Sequence, residues 1–156
     1  MKKIDQWLSE YGESHQNQTN KAVHWICVPL IMFSLIGLLW SIPTPEVFHN
    51  SSFPVNFGTL FLFLALCYYL MLSVKLTMGM LVISAFIVAG NYQLAQIEAV
   101  PLWLISLLIF AAAWVGQFIG HNIEGKKPSF LKDLQFLLIG PLWTIAFLYR
   151  KMGVSY

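Results

Sequence analysis

The sequence predicts an all-α integral membrane bundle: four transmembrane helices, an amphipathic helix before them and a re-entrant or interfacial helix after them. Three observations carry this. The chain is 58% hydrophobic and only 10% charged, against about 25% charged for an ordinary soluble domain. Four apolar runs come close to or reach the roughly 20 residues that a helix needs to cross a bilayer. All nine lysines and arginines fall in segments that an even number of crossings puts on one side.

Residues 1–24 are polar overall, with no early apolar core and no small-residue cleavage site of the signal-peptide kind. Within them Ile4, Trp7, Leu8 and Tyr11 recur at i, i+3, i+4, i+7 and form one apolar stripe on a short helix. Such a stripe suits either the membrane surface or packing on the protein itself. A polar stretch follows, with His15, Asn20 and His24; Asn20 and His24 are four apart and share a helical face. The first span is expected over about 25–42, with Pro29 in its first turns, where a helix tolerates proline best.

Three prolines and the asparagines make 41–56 a loop, which contains His49. The second span is expected over about 57–74, ended by Lys75, and the third over about 76–97, ended by Glu98 and Pro101. The fourth covers about 100–119, with Gln117 its one strongly polar side chain. Residues 134–148 are apolar for about 15 residues only and contain Gly140-Pro141. They are read as re-entrant or interfacial, because a fifth crossing would place Arg150 and Lys151 on the far side. Residues 120–156 then share an interfacial region with 1–24, and the whole chain reads as one membrane-embedded domain. Cys27 and Cys67 lie in apolar runs and read as small buried hydrophobes. Trp7, Trp25 and Trp143 read as anchors at one interface, Trp40 and Trp103 at the other. A net charge of +2 and the lack of a basic tract interleaved with aromatics argue against nucleic acid.

The positive-inside rule makes the basic side cytoplasmic, with both termini there. That topology sorts the histidines. His15, His24 and His121 fall at the cytoplasmic face, as does Glu124, three residues beyond His121 and on the same helical side. His49 falls on the opposite face. Three imidazoles and a carboxylate suit a transition metal, iron or zinc. Asn20, Gln117 and Asn122 are candidates to orient the ligands through hydrogen bonds. Lys126 and Lys127 either attract an acidic lipid head group or simply obey the topology rule. Three chemistries remain open on the residues alone: an iron-dependent oxygenase, a zinc-dependent membrane hydrolase, and a small lipid-binding or transport protein with structural histidines. Ion-coupled transport is weakened because no charged residue lies near the middle of a span.

Two blocks carry a resemblance. The first is Tyr11-x3-His15-x4-Asn20-x3-His24-x4-Pro29. The second is Trp114-x2-Gln117-Phe118-x-Gly120-His121-x2-Glu124-x-Lys126-x-Pro128, followed by Asp133-x-Gln135 and Pro141. Together they resemble the Mpo-type 2-hydroxy-fatty-acid dioxygenases over nearly the whole chain. The resemblance implies a small multi-span membrane enzyme using Fe(II) and O2 to shorten 2-hydroxy fatty acids by one carbon. It assigns His15, His24 and His121, but not His49, to the metal. The doubled histidine associated with eukaryotic members is Ser14-His15 here. The compact chain suggests a bacterial member at the inner membrane, with the endoplasmic reticulum as the eukaryotic counterpart. A lipid groove is then expected between spans, opening near His24 and His121.

Overall fold

The computed structural model describes residues 3–13, 15–46, 48, 53–125 and 136–155. Among them every regular element is helical: α1 (Lys3–Glu13), α2 (Gln18–Trp40), α3 (Phe57–Leu72), α4 (Val74–Ala95), α5 (Leu102–Ile123) and α6 (Ile139–Lys151). His49, Lys126 and Lys127 lie outside the described residues.

Three helices, α2, α4 and α5, are long and apolar enough to cross a membrane. Helix α3 has 16 residues, about 24 Å of helix, which is shorter than a typical hydrocarbon core. It stops at Leu72 because Ser73 is extended and caps α4, its hydroxyl accepting from Leu76 N at 3.4 Å. Lys75, expected to separate two spans, is therefore inside the first turn of α4. At the other end of α3, Asn56 and Thr59 form a reciprocal capping box, each side chain accepting from the other's backbone N–H at 3.0 Å.

The largest difference from the sequence expectation is at α2. It begins at Gln18, not near Trp25, because Asn17 is a strong N-cap whose side chain accepts from Thr19 N and Asn20 N. The polar stretch before the apolar run is thus the first two turns of the same helix. Pro29 consequently sits in the helix interior, not in the first turns. There it removes the bond that residue 29 would give to the Trp25 carbonyl.

The bundle exposes many large apolar side chains and encloses several polar ones among its apolar core. Phe63, Met71, Phe86 and Leu108 are 62, 85, 74 and 63% exposed, while Asn20, Ser34, Asn91 and Ser106 are 0% exposed. A water-soluble domain does not leave so many large apolar side chains outside; a lipid-facing bundle does. Cys27 is buried as expected, but Cys67 is exposed, on the outward side of α3.

Helices α2 and α5 form the most intimate pair, and glycine is the reason. A Cβ at Gly116 would come within 2.6 Å of Cys27 Sγ, and one at Gly120 within 2.5 Å of Asn20 Oδ1. Small residues let two backbones approach closely when no water is present to drive association.

Helix α1 packs on the protein. Ile4, Leu8 and Tyr11 are buried in one cluster with Tyr69, Leu76, Met80, Leu142 and Ile145. That cluster joins α1, α6, the end of α3 and the start of α4. Tyr149 Oη donates to Lys75 O at 3.1 Å, and Lys75 Nζ donates to Ser155 O at 2.6 Å, tying the C-terminal tail to the α3–α4 turn. The start of α2, the end of α5, α1, α6 and the α3–α4 turn therefore share one end of the bundle. Lys21, Lys75, Arg150 and Lys151 lie on these segments.

Candidate metal centre

At that end three segments distant in sequence meet. His15 follows α1 and is held by its own turn, with its backbone N–H bonded to Gly12 O at 3.0 Å. His24 is in the second turn of α2, and His121 in the last turn of α5. Their exposures are 2, 4 and 5%. Ring centroids are 4.0 Å apart for His15–His24, 5.7 Å for His15–His121 and 5.9 Å for His24–His121. One nitrogen from each lies within 4.8 Å of the other two, close enough to hold a metal ion.

The chemistry of the set fits a cation. Nδ1 of His15 donates to the Tyr11 carbonyl at 2.7 Å, so the lone pair of that ring is on Nε2. His24 bonds through Nε2 to the Tyr11 hydroxyl; its buried Nδ1 makes no hydrogen bond of normal geometry among the described residues, although the Gln117 side chain approaches the ring. Three imidazoles this close and this buried cannot all be protonated without strong like-charge repulsion. As neutral rings they direct donor nitrogens into one space, where a divalent ion is the natural occupant.

Glu124 is not in this group. Its carboxylate accepts from Gln16 N at 2.8 Å, from Asn17 N at 2.9 and 3.2 Å, and from Asn20 Nδ2 at 3.0 Å. It clamps the end of α5 onto the N-terminus of α2, where backbone donors and the helix dipole favour an anion. Burial works against its charge, yet the bonds from Asn20, Gln16 and Asn17 prevail and hold its carboxyl below the ordinary value. Of the other predicted site residues, Asn20 is buried and serves this clamp, while Asn122 is exposed. Gln117 is 3% exposed and faces a small cavity beside His24.

That cavity measures about 30 Å³ and is also lined by Tyr11, Val28, Ile31, Trp114 and Leu137. It has room for one or two small molecules such as water. This cavity beside His24 is too small for an acyl chain. Larger apolar grooves lie elsewhere, one of about 640 Å³ between α3 and α4.

Tyr11, legible in the sequence as part of an apolar stripe and as the first residue of the Tyr11-x3-His15 block, was not assigned a role at the metal. Its position four residues before His15 was the available signal. Tyr11 stacks on His15 with centroids 4.6 Å apart and meets Phe136 and Trp143, each at 5.6 Å.

The fold and site define a class: a bundle, all-α among the described residues, with three buried histidines at one end close enough to hold a metal ion. Comparison with known proteins gives the particular family. The family model described as 2-hydroxy-palmitic acid dioxygenase Mpo1-like matches residues 1–152, and the chain belongs to that Mpo1-like family. It is 24% identical over 148 residues to the 2-hydroxy-palmitic acid dioxygenase MPO1 of Saccharomyces cerevisiae, covering 94% of this chain and 79% of that relative. No solved structure matches the chain.

Proposed function

We propose that this chain is an Fe(II)-dependent dioxygenase that shortens 2-hydroxy fatty acids by one carbon at the cytoplasmic membrane face. It forms a single embedded domain over 1–156, with α2 to α5 crossing the bilayer and both termini cytoplasmic. The observation that carries the reading is the buried His15–His24–His121 group, in a chain whose family is named for 2-hydroxy-palmitic acid oxidation.

In this reading the three histidines would hold the iron, which when bound would supply Lewis acidity and one-electron chemistry toward O2. Three neutral imidazoles would suit this task, because a site with only three protein ligands would be left open to a substrate. Glu124 keeps His121 and His24 in register by clamping α5 to α2. The apolar lining of Val28, Ile31, Trp114 and Leu137 keeps bulk water from His24. The substrate's acyl chain remains among apolar helices while its head reaches the site.

The test is direct. Protein purified without oxygen, loaded with Fe(II) and given 2-hydroxypalmitate and O2 should yield the acid one carbon shorter. No shortened product with iron bound, or equal turnover with zinc in place of iron, would contradict the proposal.

A further inference from the structure

Two of the three histidines answer to one residue. Tyr11 accepts from His15 Nδ1 through its backbone carbonyl and bonds His24 Nε2 through its hydroxyl. Its ring stacks on His15 with an interplanar angle of 22°. The ring is itself fixed: it is 6% exposed and is met by Phe136 and Trp143 at 69° and 57°. Gly140, at the start of α6, leaves room for the hydroxyl, since a Cβ there would lie 2.8 Å from it.

We infer that Tyr11 is a positioning residue that selects the metal-binding nitrogen of both histidines: Nε2 on His15 and Nδ1 on His24. The inference rests on the metal-centre reading above. For His15 the backbone bond puts the proton on Nδ1 and leaves Nε2 to ligate. For His24 two tautomers satisfy the contact with Tyr11. If the phenol donates to Nε2, then Nδ1 carries a hydrogen for which the adjacent Gln117 side chain is the available acceptor, and Nδ1 has no lone pair to offer a cation. If Nε2–H donates to the phenol oxygen, Nδ1 presents its lone pair, and Nδ1 is the His24 nitrogen that makes no hydrogen bond of normal geometry among the described residues. A cation in that space selects the second tautomer. The phenol oxygen then takes the place that a carboxylate or carbonyl commonly holds behind a metal-bound histidine.

The test uses full-length protein loaded with zinc, which is diamagnetic, and labelled with 15N-histidine. Wild type should show zinc on Nδ1 of His24, with a proton on Nε2, and zinc on Nε2 of His15. Tyr11→Phe keeps the stacked ring and removes the hydroxyl; in chelator competition it should bind zinc about 10–100-fold more weakly. Gly140→Ala displaces the hydroxyl without removing it and should weaken zinc in the same direction. Zinc on Nε2 of His24 would overturn the inference, as would wild-type affinity in both variants. So would a phenolate-to-metal absorption band in the ferric wild-type protein that Tyr11→Phe abolishes, since Tyr11 would then be a ligand. Tight zinc binding in wild type alongside any of these results leaves the metal centre standing and removes only the role of Tyr11. A wild-type protein that takes up no metal removes both.

Discussion

The bundle buries polar side chains at both ends, and only one end reads as a site. Toward the far end Ser34, Asn91 and Ser106 are fully enclosed, the latter two against Gly37. Most of their hydrogen bonding is local and to the backbone: Ser34 Oγ donates to Leu30 O at 2.7 Å, and Asn91 Nδ2 donates to Ile87 O at 3.0 Å and Phe33 O at 3.2 Å. At the histidine end the bonds run between segments more than a hundred residues apart, through Glu124. There the side chains are imidazoles whose donor nitrogens converge. Burial of polar groups in a membrane helix pair therefore does not by itself mark function. Asn91 Oδ1 and Ser106 Oγ lack hydrogen-bond partners among the described residues, as His24 Nδ1 does, so the kind of donor makes the difference: an amide and a hydroxyl at one end, three imidazoles at the other.

The largest effect should come from prying the two ends apart separately. Gly120→Val places a β-branched side chain against Asn20, beside the histidines, and should remove most bound metal as well as lowering stability. Gly37→Val at the far end meets Ser106 and Asn91 and should destabilise by a similar amount, about 1–3 kcal/mol for overpacking. Its folded fraction should keep its metal. Metal content per folded chain, measured after size exclusion in detergent, checks the pair. Equal metal loss in both would break the comparison.

A smaller effect is expected from Glu124→Gln. The variant weakens charge-assisted bonds typically worth about 1.5–3 kcal/mol each before exposure to solvent reduces them. It should lower metal affinity partially, not abolish it, because the carboxylate holds the helices and not the ion. Its pH dependence is also specific. The folded carboxyl is held below its ordinary 4.5, so the unfolded chain binds the proton more readily. The stabilisation is complete above that ordinary value and is lost as pH falls through the lowered one. Thermal unfolding of metal-free protein should show wild type losing its advantage over Glu124→Gln in acid. An advantage that grows in acid would contradict the clamp.

The smallest effect should follow Ser106→Ala, which deletes one buried hydroxyl far from the histidines. Stability should change by about 1 kcal/mol or less, with metal content unchanged. Loss of metal here would mean that the two ends are coupled.

How far the sequence reveals this contrast depends on the kind of information each feature needs. Segregation of basic residues is a property of the linear chain, and it brought His15, His24 and His121 to one end. The apolar stripe of α1 was equally legible, though not what it packs against. The start of α2 was hidden because a hydropathy run shows where a helix is apolar, not where its hydrogen bonding begins; Asn17 sets that. Glu124 shows the limit of spacing. An i,i+3 offset from His121 gives a face, whereas its partners, Gln16, Asn17 and Asn20, come from the other end of the chain. Tyr11 was obscured because an aromatic in an apolar stripe reads as core, and its carbonyl and hydroxyl act only after the chain folds back.

The central claim is that His15, His24 and His121 jointly hold one metal ion. Elemental analysis of protein purified without oxygen tests it most directly, with wild type compared against His15→Ala, His24→Ala and His121→Ala. Wild type should carry one ion per chain, and each folded variant essentially none. A metal-free wild type, or His121→Ala carrying as much metal as wild type, would contradict it.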